Sequence, residues 1–512
     1  MNRRLVALAG ASVTALVLSG CAVVDGLGGG SAPAVSVTPL GAPEGAEDLS
    51  RFYGQALEWS ECQGALCANL TVPVDYAAPA GDTIDIAVLK VPAARSSKRI
   101  GSLVVNPGGP GGSGVDYARA AEFIVGKGVR EAYDVVGFDP RGVGRSAPID
   151  CVTDAELDAF LGSDPTPDDE GEQERFAQTA REFAQSCDST AGPLLAHVST
   201  RDAARDLDVL RAALGEEKLD YLGKSYGTYL GAVYADLFPA QVGRMVFDGV
   251  VAPDLTTEEI NLGQAKGFEL ATREWAAFCV EEKDCPLGDS VEEVMTGLRT
   301  FLASVDESPL PRTGDTAVPR LTEGWASLGI AAAMYDQGAW QTLTDAMGEA
   351  VAGDGTSLMQ LANQYADRNP GGEYGGNIME VIYAVNCLDK PDSDDLDDRR
   401  RLAEESVVEA PTWGPFLMWS SLPCGFWPVE PTGAPEKISA EGADPVVVIG
   451  TTRDPATPYE WAVRLREQLS SASLITFEGD GHTAYTRSNE CVDEAVDAYY
   501  LEGTLPKDGL RC

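Results

Sequence analysis

The sequence predicts an α/β chain: a mostly parallel sheet with helices on both faces, interrupted late by a large, mainly helical insertion. Three observations carry this. Short apolar runs ending in turn residues recur along the chain, and amphipathic helical stretches alternate with them. That rhythm stops over residues 252–443 and resumes at 445. Strands that alternate with helices pair in parallel, because a parallel neighbour is reached through a helical crossover.

The elements follow in order. TIDIAVLKV (83–91) alternates apolar and polar residues, as a strand with one wetter face does. SLVVN (102–106) and YDVVGFD (133–139) are unbroken apolar runs, the mark of strands covered on both faces. Residues 199–215 read as an amphipathic helix, with Ser199 and Asp202 in a capping arrangement and Gly215 as the stop. LDYLG (219–223) is the next strand, followed by a helix from SYGTYLGAVYADLFP that closes before Pro239, then the strand RMVFDGVV (244–251). After the insertion come the strand PVVVIG (445–450), a helix over 458–470, the strand SLITFEG (473–479) and a last helix around 489–500. The insertion holds six of the eight tryptophans: Trp275, Trp325, Trp340, Trp413, Trp419 and Trp427. They are read first as the core of a cap domain, ahead of a substrate-lining role.

The chain of 512 residues is long enough for one large domain with insertions, or for two to three ordinary ones. Its 44% hydrophobic and 23% charged residues are an ordinary globular mix. The net charge of −42 argues against nucleic-acid and anionic-membrane partners.

The first twenty residues read as a secretory signal: Arg3 and Arg4, an apolar run over 5–18, then small residues. The apolar run is short of the roughly 18–20 residues a membrane-spanning helix needs. Its end, Leu18-Ser19-Gly20-Cys21, resembles the bacterial lipobox, in which cleavage leaves a lipidated cysteine, here Cys21. Two acyl chains on that residue suffice for stable anchoring. Residues 21–47, rich in Gly, Ala, Pro and Ser, read as a flexible tether. The predicted organisation is therefore signal 1–20, tether 21–47, core 48–251, cap 252–443 and core again 444–512. The expected location is the outer face of the cytoplasmic membrane, with membrane contact only through Cys21.

The cysteines agree with export. Setting Cys21 aside, the other ten fall into chain neighbours: Cys62 and Cys67, Cys151 and Cys187, Cys279 and Cys285, Cys387 and Cys424, Cys491 and Cys512. Pairing by neighbour is the simplest scheme, although spacing leaves others open. With no CxxC and only two histidines, neither a metal nor a cofactor is expected.

Gly223-Lys224-Ser225-Tyr226-Gly227 sits where a strand passes into a helix. Such an elbow exposes a serine hydroxyl, and glycines flank it because the crossing leaves no room for side chains. Serine is a weak nucleophile and needs a base. Of the two histidines, His197 lies upstream of Ser225 and is read as structural. His482, in EGDGHTAY directly after the last strand, is the base that fits. The acid that orients it is expected at Asp454, just past the strand 445–450. Asp248 competes for that role, whereas Asp480 is too near His482 in the chain. Thr457 is either a partner of Asp454 or a helix cap. Two donors for an oxyanion are expected: the N–H of Tyr226 at the helix start, and the N–H of Gly109 in the loop NPGGPGGSG (106–114).

VVNPGGPGGSG, GFDPRGVGRS, GKSYGTYLGAVYADLFP, FDGVVAP and the DPATP…GDGHT tail together resemble the secreted tripeptidyl aminopeptidases of actinobacteria. These belong with the proline-iminopeptidase-like α/β-hydrolases, and the lipobox adds a similarity to cell-envelope serine hydrolases of mycobacteria. The likeness runs from about residue 50 to the end and is thin in the cap. It implies the α/β-hydrolase fold, with nucleophile, acid and base at Ser225, Asp454 and His482 and an oxyanion loop at Gly109. The related iminopeptidases usually open that loop with His-Gly-Gly-Pro-Gly, which Asn106-Pro107 replaces here. The implied activity is serine peptidase chemistry on peptides or proteins with a free N-terminus, releasing tri- or dipeptides. Glu274, Glu323 and Asp389 are candidates for binding the substrate ammonium, each against a plain structural reading. The alternative is a carboxylesterase or lipase-like hydrolase with the same triad.

Overall fold

A computed structural model of the chain describes residues 38–43, 45–281 and 285–512. The predicted signal, Cys21 and most of the tether lie outside them. The folded unit begins before residue 48. Leu40 donates its N–H to the Ala212 carbonyl at 3.0 Å and packs with Ala42 on the core, so the last residues of the predicted tether belong to the domain.

Seven strands precede the insertion: β1 (Ser60–Cys62), β2 (Ala65–Pro73), β3 (Thr83–Val91), β4 (Gly101–Asn106), β5 (Tyr133–Phe138), β6 (Leu219–Lys224) and β7 (Val242–Asp248). Within the insertion, β8 (Leu310–Pro311) and β9 (Arg320–Leu321) form a separate two-stranded ladder. β10 (Val446–Arg453), β11 (Ala472–Asp480) and β12 (Leu510–Arg511) complete the main sheet. Its order is β1-β2-β3-β5-β4-β6-β7-β10-β11-β12. The pairs β1·β2, β2·β3 and β3·β5 are antiparallel, and every pair from β5 to β12 is parallel.

Both faces of the parallel strands are buried. In β4, Val104 joins one core cluster while Leu103 and Val105 join the other, and β10 divides Val446 and Val448 from Val447 and Ile449 in the same way. This explains the unbroken apolar runs. Helices Thr200–Ala213, Tyr226–Leu237 and Tyr459–Gln468 cover one face; Gly114–Arg119, Lys127–Ala132 and Glu490–Glu502 cover the other.

The cap is mainly helical and has its own core around Trp275, Trp325, Trp340 and Trp413. It also draws on a second stretch, lying within the 48–251 segment that the sequence assigned to the core. Helices Asp154–Leu161 and Glu170–Ala191 leave the sheet after β5 and pack on the cap: Phe176, Ala177 and Ala180 meet Ala403, Met418 and Trp419. Arg368 donates to Asp158 at 2.8 Å, and Glu380 accepts the N–H groups of Cys151 and Val152 at 2.6 and 3.0 Å. The five disulfides are the five neighbour pairs. Among the described residues no helix is long and apolar enough to cross a membrane.

Candidate active site

β6 ends at Lys224 and the helix Tyr226–Leu237 begins two residues later, leaving Ser225 at the turn with φ 56° and ψ −129°. Positive φ at a serine costs about 1–3 kcal/mol and persists only where the surroundings fix it. They do so by close packing. A Cβ on Gly223 would stand 2.3 Å from the Gly227 carbonyl oxygen, and one on Gly227 would stand 2.8 Å from that of Asn106. The flanking glycines let strand end and helix start cross in contact.

The loop after β4 is pressed onto this elbow. A Cβ on Gly108 would lie 2.5 Å from the Lys224 carbonyl oxygen and 2.8 Å from Ser225 Cβ. Asn106 shapes the loop by accepting the Gly108 N–H at 2.9 Å. Asp139, buried after β5, holds the far end by accepting Ser113 Oγ–H at 2.6 Å and the Val115 N–H at 3.1 Å. Gly109 and Tyr226 then line one cavity with Ser225. Tyr226 is the first residue of its helix, so its N–H has no acceptor within that helix.

Asp454 follows β10 and is 2% exposed. Its Oδ1 accepts the N–H groups of Ala456 and Thr457 at 3.0 and 2.9 Å; its Oδ2 accepts Thr457 Oγ1–H at 2.9 Å. Thr457 is therefore a partner of the carboxylate, and the cap position of the next helix falls to Pro458. His482, in the loop after β11, places Nδ1 2.9 Å from both Asp454 oxygens. With Nδ1–H donated to the carboxylate, Nε2 presents a lone pair; that nitrogen is buried and carries no hydrogen bond. The ring lies beside the elbow. A Cβ on Gly249 would be 3.1 Å from His482 Cε1, and the preceding residue, Asp248, accepts the Ser225 N–H on its carbonyl at 3.0 Å.

The competing residues have other tasks. The Asp248 side chain accepts the N–H groups of Ala484 and Tyr485 and so shapes the histidine loop. Asp480 pairs with Arg453 at 2.7 Å. His197 offers its carbonyl to Arg141 at 2.7 Å, away from the cavity.

Three contributors were not singled out from the sequence. Lys224, the middle residue of Gly-Lys-Ser, is buried and donates to the Tyr485 carbonyl at 2.8 Å. Tyr335, from the cap, accepts the His482 N–H at 2.9 Å and stands edge-on to the imidazole at 5.2 Å. Thr200 connects Tyr226 to Asp389: the Tyr226 hydroxyl and Thr200 Oγ1 are 2.5 Å apart, and Thr200 Oγ1–H donates to Asp389 Oδ2 at 2.5 Å. Lys224 is marked in the sequence only by its place in Gly-Lys-Ser; nothing local marks the other two.

The cavity, about 280 Å³, lies between core and cap, and its walls are mostly aromatic and aliphatic. Of the three candidate carboxylates only Asp389 lines it. Glu323 is buried elsewhere, accepting Thr166 Oγ1–H at 3.0 Å, and burial pushes its carboxyl up to about 8. Glu274 is half-buried and not part of the wall. Asp389 is pushed up to about 6 by burial, against which Thr200 donates both N–H and O–H. Lys390, the other charged residue among the described residues of the wall, is pushed down to about 8 by burial, and its ammonium donates to the Pro253 and Leu255 carbonyls at 2.8 Å each.

The comparisons bear on the same constellation. A family described as "TAP-like protein" matches residues 410–512, the stretch that carries Asp454 and His482. The serine protease Hip1 of Mycobacterium tuberculosis is 41% identical over 90% of this chain and 91% of its own. The tripeptidyl aminopeptidase of Streptomyces lividans is 37% identical over 89% and 85%. A protein named carboxylesterase B, also from Mycobacterium tuberculosis, is 38% identical over 93% and 91%.

Proposed function

The chain belongs to the TAP-like serine peptidase family of α/β-hydrolases, and from that premise we propose that it is an exported, lipid-anchored aminopeptidase releasing di- or tripeptides from free N-termini. In this reading Ser225 Oγ attacks the scissile carbonyl while His482 Nε2 takes its proton, and Asp454 stabilises the imidazolium. The N–H groups of Gly109 and Tyr226 receive the oxyanion. His482 then protonates the departing amine, and water activated by the same nitrogen hydrolyses the acyl-enzyme.

The observation that carries the aminopeptidase reading is Asp389, the one carboxylate among the described residues that line the cavity of Ser225. It is reached from Tyr226 through one tyrosine side chain and two hydrogen bonds of 2.5 Å. The exported location rests on the sequence 1–21 and its lipobox.

The test compares kcat/KM for a tripeptide amide bearing a free amine with that of its N-acetylated twin, using Ser225→Ala as blank. A large loss on acetylation supports the reading. Equal rates overturn it and point to an endopeptidase, or to an ester hydrolase, which needs no ammonium site. Anchoring is tested separately: Cys21→Ser should release the protein from the membrane fraction, and unchanged retention would remove Cys21 as the anchor.

A further inference from the structure

A second cavity, about 200 Å³, adjoins the catalytic one. Ser199, Arg201, Asp236 and Glu436 give it a polar wall, and it has two lining residues in common with the first: Tyr229 and Asp389. These two residues line both cavities and so stand at their boundary.

The boundary is firmly held. Tyr229 follows Tyr226 by three residues on the same helix, so the two rings share a face and meet edge-on at 6.2 Å. The Lys390 ammonium lies over the Tyr229 ring at 5.2 Å, and the carbonyls of Pro253 and Leu255 fix that ammonium in turn. Asp389 is fixed by the two Thr200 donors. A wall made from a helix face and a buried ion-and-hydroxyl network keeps its position, which a boundary between two subsites requires.

We propose that Tyr229 sets the length of the peptide released: its ring closes the catalytic cavity at the Asp389 end, and removing it joins the second cavity to the first. The proposal rests on the aminopeptidase reading. A substrate extended by one or two residues would then place its ammonium beyond Asp389, in a solvent-open space lined by the exposed carboxylates Asp236 and Glu436 and by Arg201. In the intact protein the same substrate meets the ring of Tyr229 and is excluded.

The experiment uses the full chain and free-amine peptides of one to five residues on a chromogenic amide, with active sites titrated by a fluorophosphonate so that misfolded protein is not counted. Tyr229→Phe should keep the wild-type length profile. Tyr229→Ala should raise kcat/KM for the tetra- and pentapeptide at least tenfold relative to the wild-type optimum length. Tyr229→Leu, which retains packing near the helix, carries the same expectation should the alanine variant not fold. Val233→Phe, placed in the opened variant, refills the second cavity and should restore the original profile. An unshifted profile in titrated Tyr229→Ala or Tyr229→Leu, with the amine requirement intact, overturns the proposal alone. Indifference of the wild type to N-acetylation at every length overturns the aminopeptidase reading beneath it.

Discussion

Lys224 Nζ donates to the Tyr485 carbonyl across 2.8 Å, so the residue before Ser225 also ties down the loop that carries His482. Asp248 completes the clamp, accepting the N–H groups of Ala484 and Tyr485 at 2.8 and 2.9 Å and facing the Lys224 ammonium at 3.5 Å. Burial pushes the Lys224 amine below its usual range, with Asp248 opposing that shift. Lys224→Met leaves a buried carboxylate without its cation and should cost about 3–5 kcal/mol in urea denaturation. The double variant Lys224→Met/Asp248→Asn should regain part of the loss. In the single variant kcat should fall by up to about 100-fold with little change in KM, because the histidine is displaced rather than the substrate. Unchanged stability and turnover would mean that the clamp has no effect.

Ser225→Ala should lower kcat by roughly 10⁴–10⁶ without unfolding the protein. Asp454→Asn should lower it by about 10⁴, since an amide cannot hold the imidazole in the required tautomer or stabilise its charged form. Thermal melting of both variants close to wild type, with no fluorophosphonate labelling of Ser225→Ala, is the expected result.

Asp389→Asn should reduce kcat/KM for free-amine substrates about 10–100-fold, the range of a hydrogen bond to a charged group. N-acetylated substrates should be unaffected. Because burial holds the Asp389 carboxyl at about 6, the preference for a free amine should weaken as the pH falls through that value and the carboxylate is protonated. His482 serves both substrates in the same way, so their ratio isolates the amine site. A ratio independent of pH in the wild type would remove Asp389 as the amine ligand.

Burial holds Glu323 at about 8 and Glu380 at about 7, both above their value of 4.5 in an unfolded chain. The folded state therefore binds these protons more tightly. Their contribution is fully present below the unfolded value and is lost as the pH rises through the folded values. Melting temperature should consequently be higher at pH 5.5 than at pH 8, and Glu323→Gln should flatten the difference. A melting temperature that rises across this window in the wild type and is unchanged in the variant contradicts the assignment.

Replacing Cys151 and Cys187 together by serine should cost about 2–5 kcal/mol, measured by denaturation of the non-reduced protein. The bridge closes the stretch that carries the first cap-forming helices. The loss should therefore be accompanied by earlier proteolytic cleavage within residues 152–186.

Where burial acts on both faces, the chain announces its strands: Leu103, Val104 and Val105 all had to be apolar, because two different clusters claim them. The short hairpin of β1 and β2 lies ahead of the strands that the apolar runs mark. Yet Ala68, Leu70 and Val72 alternate inward along β2, and Cys62 and Cys67 bridge the hairpin. Ser225, Asp454 and His482 could be placed because each sits at the C-terminal end of a recognisable strand. Lys224, Thr200 and Tyr335 could not, since their partners lie on segments remote in sequence. Helical patterning in the cap likewise could not tell Asp389, which faces the cavity, from Glu323, which faces Thr166. Nor could it show that residues after β5 leave the sheet to join the cap.

The main sheet is cut in two, with the whole larger cap insertion emerging between β7 and β10. Ser225 is therefore made early in synthesis and Asp454 and His482 late. A chain stopped after the cap would possess the serine, the elbow and most of the binding walls, yet have nothing to withdraw the serine's proton. Ser225 and the Asp454–His482 pair therefore meet only where β10 docks against β7, a strand some two hundred residues earlier in the chain.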